Sequence, residues 1–216
     1  MDQIVPPSAA AQHFLGCLDR ANHVREPYSF WLLDNAFPER VCDEIASLPY
    51  APPSGAVFNG RRETNNSTRV YFNPPNAQKH PVVKEVVEIF RNPQVVSKLE
   101  QVTGRDLGAG ALRIEYCQDV DGFWLEPHLD ISVKLFTMLI YLSGEPELRD
   151  AGTDVYDATP EHNLVCSAPY EKDKGLIFIP GKDTWHGFSK RPIRGVRKSI
   201  IVNWVTPDWR ERWGFH

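Results

Sequence analysis

One residue separates His128 from Asp130, and a second histidine, His186, follows in a distant segment of the 216-residue chain. Side chains on an extended strand alternate between its two faces, so His128 and Asp130 are expected to project to the same side and reach one metal. His186 on another strand would bring the protein ligands to three on one side, with the opposite coordination positions open. Two histidines and a carboxylate in that facial arrangement suit non-haem Fe(II) and oxygen chemistry. His-x-Asp is a short pattern, so its meaning rests on its surroundings. Arg197 lies eleven residues beyond His186, on the strand-like run Arg197–Trp204, where alternation groups Arg197, Ser199, Ile201 and Asn203 on one face. An arginine with a hydroxyl two positions on can grip a carboxylate by a bidentate fork and one further hydrogen bond. Taken alone, an ion pair between Arg197 and a surface acid is the simpler account.

The elements that must hold these residues change character along the chain. The first half reads as helices and loops. A short helix is expected around Ala9–Ala21, with Phe14, Leu15 and Leu18 as its apolar stripe, then a strand at Tyr28–Leu33. Pro38 opens a second helix carrying Val41, Ile45 and Leu48. Val82, Val83, Val86, Val87 and Phe90 form one broad helical face, and Asn92-Pro93 restarts a helix that Gly104 stops. From about Leu112 short strand-like runs take over: Leu112–Tyr116, Val133–Leu142, Leu164–Ser167, Gly175–Ile179 and Ser199–Val205. Helices followed by spaced strands predict an α+β, mainly β chain. One domain over 1–216 is expected, with a helical and loop part at 1–110 and a barrel core at 111–205.

Leu112–Trp204 resembles the catalytic core of the Fe(II)- and 2-oxoglutarate-dependent dioxygenase superfamily, close to its prolyl-hydroxylase-like branch. The matching pieces occur in the family's order. Tyr116 and Gly122 precede Pro127-His128-Leu129-Asp130, Thr137–Leu142 follows, and Ala151-Gly152-Thr153-Asp154 sits where a Gly-Gly turn is common. Gly175–Phe178 then leads to Trp185-His186-Gly187, and Gly195-Val196-Arg197-Lys198-Ser199 resembles the cosubstrate-binding Gly-x-Arg-x-Ser. Ala151 replaces the first glycine of the pair, and Lys198 is set by alternation on the face opposite Ser199. The resemblance implies a double-stranded β-helix, the jelly-roll also found in cupins, buttressed by the N-terminal helices. It implies Fe(II) held by His128, Asp130 and His186, with 2-oxoglutarate and O2 as cosubstrates. Arg197 would pair with the far carboxylate of 2-oxoglutarate, supported by Ser199 and Tyr116; a half-buried core role explains Tyr116 as readily. Thr137, Leu139 and Tyr141 are expected to line the pocket or simply to pack. Related halogenases lack the carboxylate ligand, so Asp130 points to hydroxylation, with release of succinate and CO2.

Bulk properties narrow the partners. The formal net charge of −4 carries no basic stripe, so no nucleic-acid partner is expected. No run approaches the ~20 apolar residues of a membrane span, and the N-terminal residues show no secretory pattern, so a cytoplasmic protein is expected. Cys17, Cys42, Cys117 and Cys166 are scattered and read as reduced thiols rather than a zinc site or disulfide framework. Asp119 and Asp121 read as solvated turn residues. The polar stretch Arg61–Arg69 is a plain surface loop or a substrate contact; Arg61, Arg62, Asn65, Asn66 and Arg69 would suit an anionic or hydrogen-bonding substrate. Trp124 and Trp185 flank the expected ligands as packed aromatics or cavity walls. Trp204, Trp209, Trp213 and Phe215 suggest a C-terminal tail docked on the domain. The leading expectation is a hydroxylase of a small polar metabolite such as an amino-acid or sugar derivative. A prolyl-type protein or peptide hydroxylase is the alternative, and a non-catalytic cupin-like metal- or sugar-binding module is the rival of another class. The oligomeric state is not read from the sequence.

Overall fold

Two antiparallel sheets face each other in the computed structural model, which describes residues 6–61, 69–207 and 209. The strands in chain order are β1 (Asn22–Val24), β2 (Phe30–Leu33), β3 (Val70–Tyr71), β4 (Ala111–Asp119), β5 (Leu125–His128), β6 (Lys134–Tyr141), β7 (Asp154–Tyr156), β8 (Leu164–Ser167), β9 (Gly175–Phe178), β10 (His186–Phe188) and β11 (Arg197–Val205). The larger sheet has seven strands in the order β1-β2-β9-β6-β11-β4-β3, and the smaller has four in the order β5-β10-β7-β8. The helices are α1 (Ala9–Asp19), α2 (Glu39–Ala46), α3 (Pro74–Lys79), α4 (Pro81–Arg91) and α5 (Pro93–Thr103). This is the expected mainly-β jelly-roll with helices against one face. The division at residue 111 is less clean than expected, because β1, β2 and β3 from the N-terminal part extend the larger sheet at both edges.

Local chemistry accounts for the helices. The Ser8 side chain caps α1 by accepting from Ala11 N at 3.2 Å. Asn92 caps α5 through Gln94 N and Val95 N, Pro93 fills the first turn, and Gly104 ends the helix at a left-handed φ of 71°. The sequence reading overlooked α3, a six-residue helix capped by Asn73 and begun by two prolines. Val82, Val83, Val86, Val87 and Phe90 are all buried, as the helical periodicity predicts. Each fully buried side chain of this kind contributes roughly 1.5–3 kcal/mol relative to exposure.

The larger sheet separates two apolar clusters. On its outer face Leu112, Ile114 and Tyr116 of β4 and Ile200, Val202 and Trp204 of β11 pack with the helices. On its inner face Leu139, Tyr141, Leu176, Phe178 and Ile201 meet Val155 and Phe188 of the smaller sheet and Ala168 just past β8. The inner rows of β4 and β11 also hold polar groups, namely Arg113, Glu115, Asp119, Arg197, Ser199 and Asn203, all buried. Buried polar groups on one side of an otherwise apolar sandwich mark where the site lies.

Candidate active site

His128 ends β5 and pairs in register with His186 at the start of β10, bringing the two ring centroids to 4.4 Å. Gly187 permits this. A Cβ there would lie 2.9 Å from the carbonyl oxygens of both Leu125 and Glu126, so a larger residue would push β10 away from β5. Asp130 lies two residues past His128, just beyond the strand rather than on it. Ligand atoms of His128, Asp130 and His186 all fall within 4.8 Å of one another.

The hydrogen bonds around the triad orient it for a metal. His128 Nδ1 lies 2.8 Å from Glu126 O, and His186 Nδ1 lies 2.9 Å from Thr184 O. A carbonyl only accepts, so each Nδ1 carries its proton and each Nε2 keeps the lone pair a metal requires. Burial, reinforced by neighbouring His128, pushes the His186 pKa down to about 3, so this ring stays neutral. The Asp130 carboxylate accepts from Lys134 Nζ on Oδ1 and from Thr137 Oγ1 on Oδ2, both at 2.7 Å. Thr137 Oγ1 also lies 3.2 Å from Asn203 Oδ1. A hydroxyl has one proton, so it goes to the carboxylate; turning the Asn203 amide would let its nitrogen donate to Thr137. The donor set fits a divalent metal: two neutral imidazoles and one carboxylate, each steadied by an outer partner.

The cavity beside the triad spans about 520 Å³ including its mouth, and its lining includes His128, His186, Thr137, Thr153, Arg197 and Ser199. Arg197 is 5% exposed. Its Nε donates to Ala151 O at 2.7 Å, Nη1 to Asp119 Oδ2 at 2.6 Å, and Nη2 approaches Thr153 Oγ1 at 3.4 Å. Burial works against its charge, but Asp119 with the surrounding hydroxyls holds it firmly protonated. Ser199 Oγ is fully buried with no hydrogen-bond partner among the described residues. A buried hydroxyl left so is costly, and an oxygen-rich anion laid against Arg197 would satisfy it. The pair therefore fits a carboxylate of 2-oxoglutarate. Lys198 points the other way and donates to Ala46 O, as alternation predicts.

Several expected residues lie elsewhere. Tyr116 is a correction: it packs on the helix side of β4 and is not part of the cavity wall. The pattern Leu112, Ile114, Tyr116 against Arg113, Glu115, Cys117, Asp119 carries the signal, since alternation groups Tyr116 with the apolar set. Asp119 is a second correction, being 8% exposed and paired with Arg197 rather than solvated. Asp121 accepts from Ile193 N at 3.0 Å. Trp124 covers Gly60, whose backbone bridges to Leu125, and lies under Lys190 Nζ at 4.3 Å. Trp185 stacks on His162 with centroids 3.8 Å apart. Neither tryptophan lines the cavity. Leu139 does, and Tyr141 is buried nearby with its hydroxyl donating to Thr153 Oγ1 at 2.9 Å. Arg61 is exposed, Arg69 lines the cavity, and Arg62, Asn65 and Asn66 lie outside the described residues. Of the tail, Trp204 is buried and Arg113 lies over the Trp209 ring at 4.3 Å; Trp213 and Phe215 lie outside the described residues.

The sequence reading also missed the frame of the smaller sheet. Asp154, fully buried, takes both Nη atoms of Arg191 at 2.7 and 3.0 Å, Ser167 Oγ at 2.6 Å and Ser189 N at 2.7 Å. Burial alone would raise its pKa, but Arg191, Ser167 and Ser189 outweigh it and hold the carboxyl below its ordinary value.

No protein-family model matches the chain, and no curated protein matches it. Solved structures do resemble it. A prolyl-4-hydroxylase from Pseudomonas putida aligns over 100% of this chain and 99% of its own, with TM-score 0.58 at 13% identity. A prolyl 4-hydroxylase from Phytophthora capsici aligns over 96% of this chain and 69% of its own, with TM-score 0.60 at 12% identity. A prolyl hydroxylase from Trichoplax adhaerens, in complex with a hypoxia inducible factor oxygen degradation domain peptide fragment, aligns over 90% and 88%, with TM-score 0.54 at 17% identity. At these identities the likeness establishes a common fold. Among the described residues no helix is long and apolar enough to cross a membrane.

Proposed function

We propose that the chain is an Fe(II)- and 2-oxoglutarate-dependent hydroxylase acting on a prolyl-type peptide. One observation carries this: the two histidines of a two-His, one-carboxylate cluster line the same cavity as a buried arginine and an unpartnered buried hydroxyl. Fe(II) and 2-oxoglutarate would supply the oxidising chemistry, using O2 and releasing succinate and CO2.

The chain's own residues supply geometry. His128 and His186, with Nδ1 tied to carbonyls, keep their Nε2 lone pairs free and would hold the metal together with Asp130. Asp130 is restrained at both oxygens by Lys134 and Thr137, which limits its freedom to swing between binding modes. Arg197 and Ser199 would hold the far carboxylate of 2-oxoglutarate, and the apolar walls Phe123, Leu125, Leu139 and Phe188 would exclude water from the reacting centre. A cupin-like binding module has no use for that carboxylate clamp, so the rival reading loses its support.

The peptide reading now takes precedence over the small polar metabolite suggested by the sequence. Its support is the fold shared with three prolyl hydroxylases, one of them bound to a peptide. Anaerobic addition of Fe(II) and 2-oxoglutarate should produce the weak visible charge-transfer band of the chelate. Prolyl peptides should then stimulate succinate formation above uncoupled turnover. Well-folded, metal-loaded protein without the band would refute the oxygenase reading, and stimulation by free metabolites alone would refute the peptide one.

A further inference from the structure

Arg197 and Asp119 stand directly opposite each other where two strands end together. Arg197 is the first residue of β11 and Asp119 the last of β4, so their pair closes the ladder between those strands. No backbone pairing of these strands continues past it, and side-chain contacts must decide where the guanidinium lies. Both residues line the cavity beside Ser199.

The contacts on Arg197 divide the work unequally. Nε donates to Ala151 O at 2.7 Å, which fixes the root of the planar fork. The rings of Tyr141, Tyr170 and Phe188, at 5.7, 5.7 and 5.0 Å from its central carbon, bound its sideways movement. Thr153 Oγ1, at 3.4 Å from Nη2, is too far to hold the tip firmly. The charge-assisted bond from Nη1 to Asp119 Oδ2, at 2.6 Å, is therefore what fixes the tip. Yet a carboxylate is an awkward neighbour for an anion site. Two carboxylates that share one guanidinium repel each other, so Asp119 lowers the pull of Arg197 on an incoming carboxylate. Its contribution is geometric: a fork already in place when the anion arrives.

We propose that Asp119 is the positioning residue of the cosubstrate clamp, fixing the reach of Arg197 across the cavity and so setting the chain length of the 2-oxo diacid accepted. The inference rests on the hydroxylase reading above and adds the residue that tunes cosubstrate choice. With the ligand cluster at one end and an immobile fork at the other, a diacid of the wrong length cannot engage both. One methylene too many then costs about tenfold or more in affinity. Ser199, whose buried hydroxyl has no partner among the described residues, sits two positions from Arg197 to meet a carboxylate of the right reach.

The test titrates anaerobic Fe(II)-loaded protein with 2-oxoglutarate and with 2-oxoadipate, one methylene longer, following the visible chelate band. Unaltered protein should bind 2-oxoglutarate about tenfold or more tightly than 2-oxoadipate. Asp119→Ala should bring the two within about threefold, chiefly by weakening 2-oxoglutarate. Asp119→Asn retains an acceptor of the same shape and should keep the preference. Asp119→Glu retains the charge but displaces it by one methylene and should lose the preference. Both of these leave Arg197 a partner, so they decide the matter if Asp119→Ala fails to fold by circular dichroism. No discrimination by unaltered protein, an undiminished preference in Asp119→Glu, or a lost one in Asp119→Asn overturns the inference. Tighter 2-oxoglutarate binding by Asp119→Ala also overturns it, because repulsion would then outweigh position. A missing band in folded, metal-loaded protein overturns the hydroxylase reading, and this inference with it.

Discussion

The two sheets of this protein hold their functional residues by different means. The larger sheet presents Arg197 and Ser199 from β11, a nine-residue strand hydrogen-bonded along its length to both β4 and β6. Its outer face is sealed by helices, so Arg197 and Ser199 rest on a long ladder and an apolar core. The smaller sheet presents the candidate metal ligands from the four-residue β5, the loop after it and the three-residue β10. Strands this short cannot define a register by repetition. They are held by the Asp154–Arg191 hub, by the close approach at Gly187, and by Lys134 and Thr137 reaching across from β6. Repetition positions Arg197 and Ser199, and individual polar contacts position the His128, Asp130 and His186 cluster.

If that contrast is right, single changes in the smaller sheet should have outsized effects. The largest is expected for His128→Ala. Removing an outer partner of a metal ligand typically costs 10–100-fold in affinity, so removing the ligand itself should cost more than about 100-fold. Metal titration should show this with far-UV circular dichroism intact.

Next comes Arg191→Ala, which leaves Asp154 buried without its bidentate partner. A loss of about 3 kcal/mol in chemical denaturation is expected, against roughly 1 kcal/mol for Ile200→Val in the larger sheet. Equal losses would erase the contrast. Thr137→Val should weaken metal binding by about tenfold without comparable loss of stability, since it frees one Asp130 oxygen. Retained metal affinity would show that the carboxylate is restrained without Thr137. The smallest effect is expected for Tyr116→Phe. Its hydroxyl is buried with no partner among the described residues, so stability should change by less than about 0.5 kcal/mol and 2-oxoglutarate affinity not at all. A marked fall in that affinity would return Tyr116 to the cosubstrate site.

How far the sequence could be read followed the length and regularity of each element. The apolar face of α4 and the alternation of β11 announced themselves, because many residues repeat one period. The residues β7 and β10 contribute do not, since three residues cannot show a period and Gly187 carries no strand preference. Tyr116 was misread because family order outweighed local alternation. Asp119 was misread because a carboxylate after a strand looks solvated until its partner is known. Arg69 was visible only as one charge in a polar stretch.

Sequence alone determined the candidate ligand types, the concentration of helices in the first half of the chain, and the shared face of Arg197 and Ser199. Those follow from side-chain chemistry and backbone periodicity, which are local. Only the tertiary structure decided that His186 meets His128, that Asp119 balances Arg197, and that Arg69 enters the same cavity. Each of these joins residues on different strands, and the pairing register between strands, set by packing and close approach across the sandwich, is not written in either strand by itself.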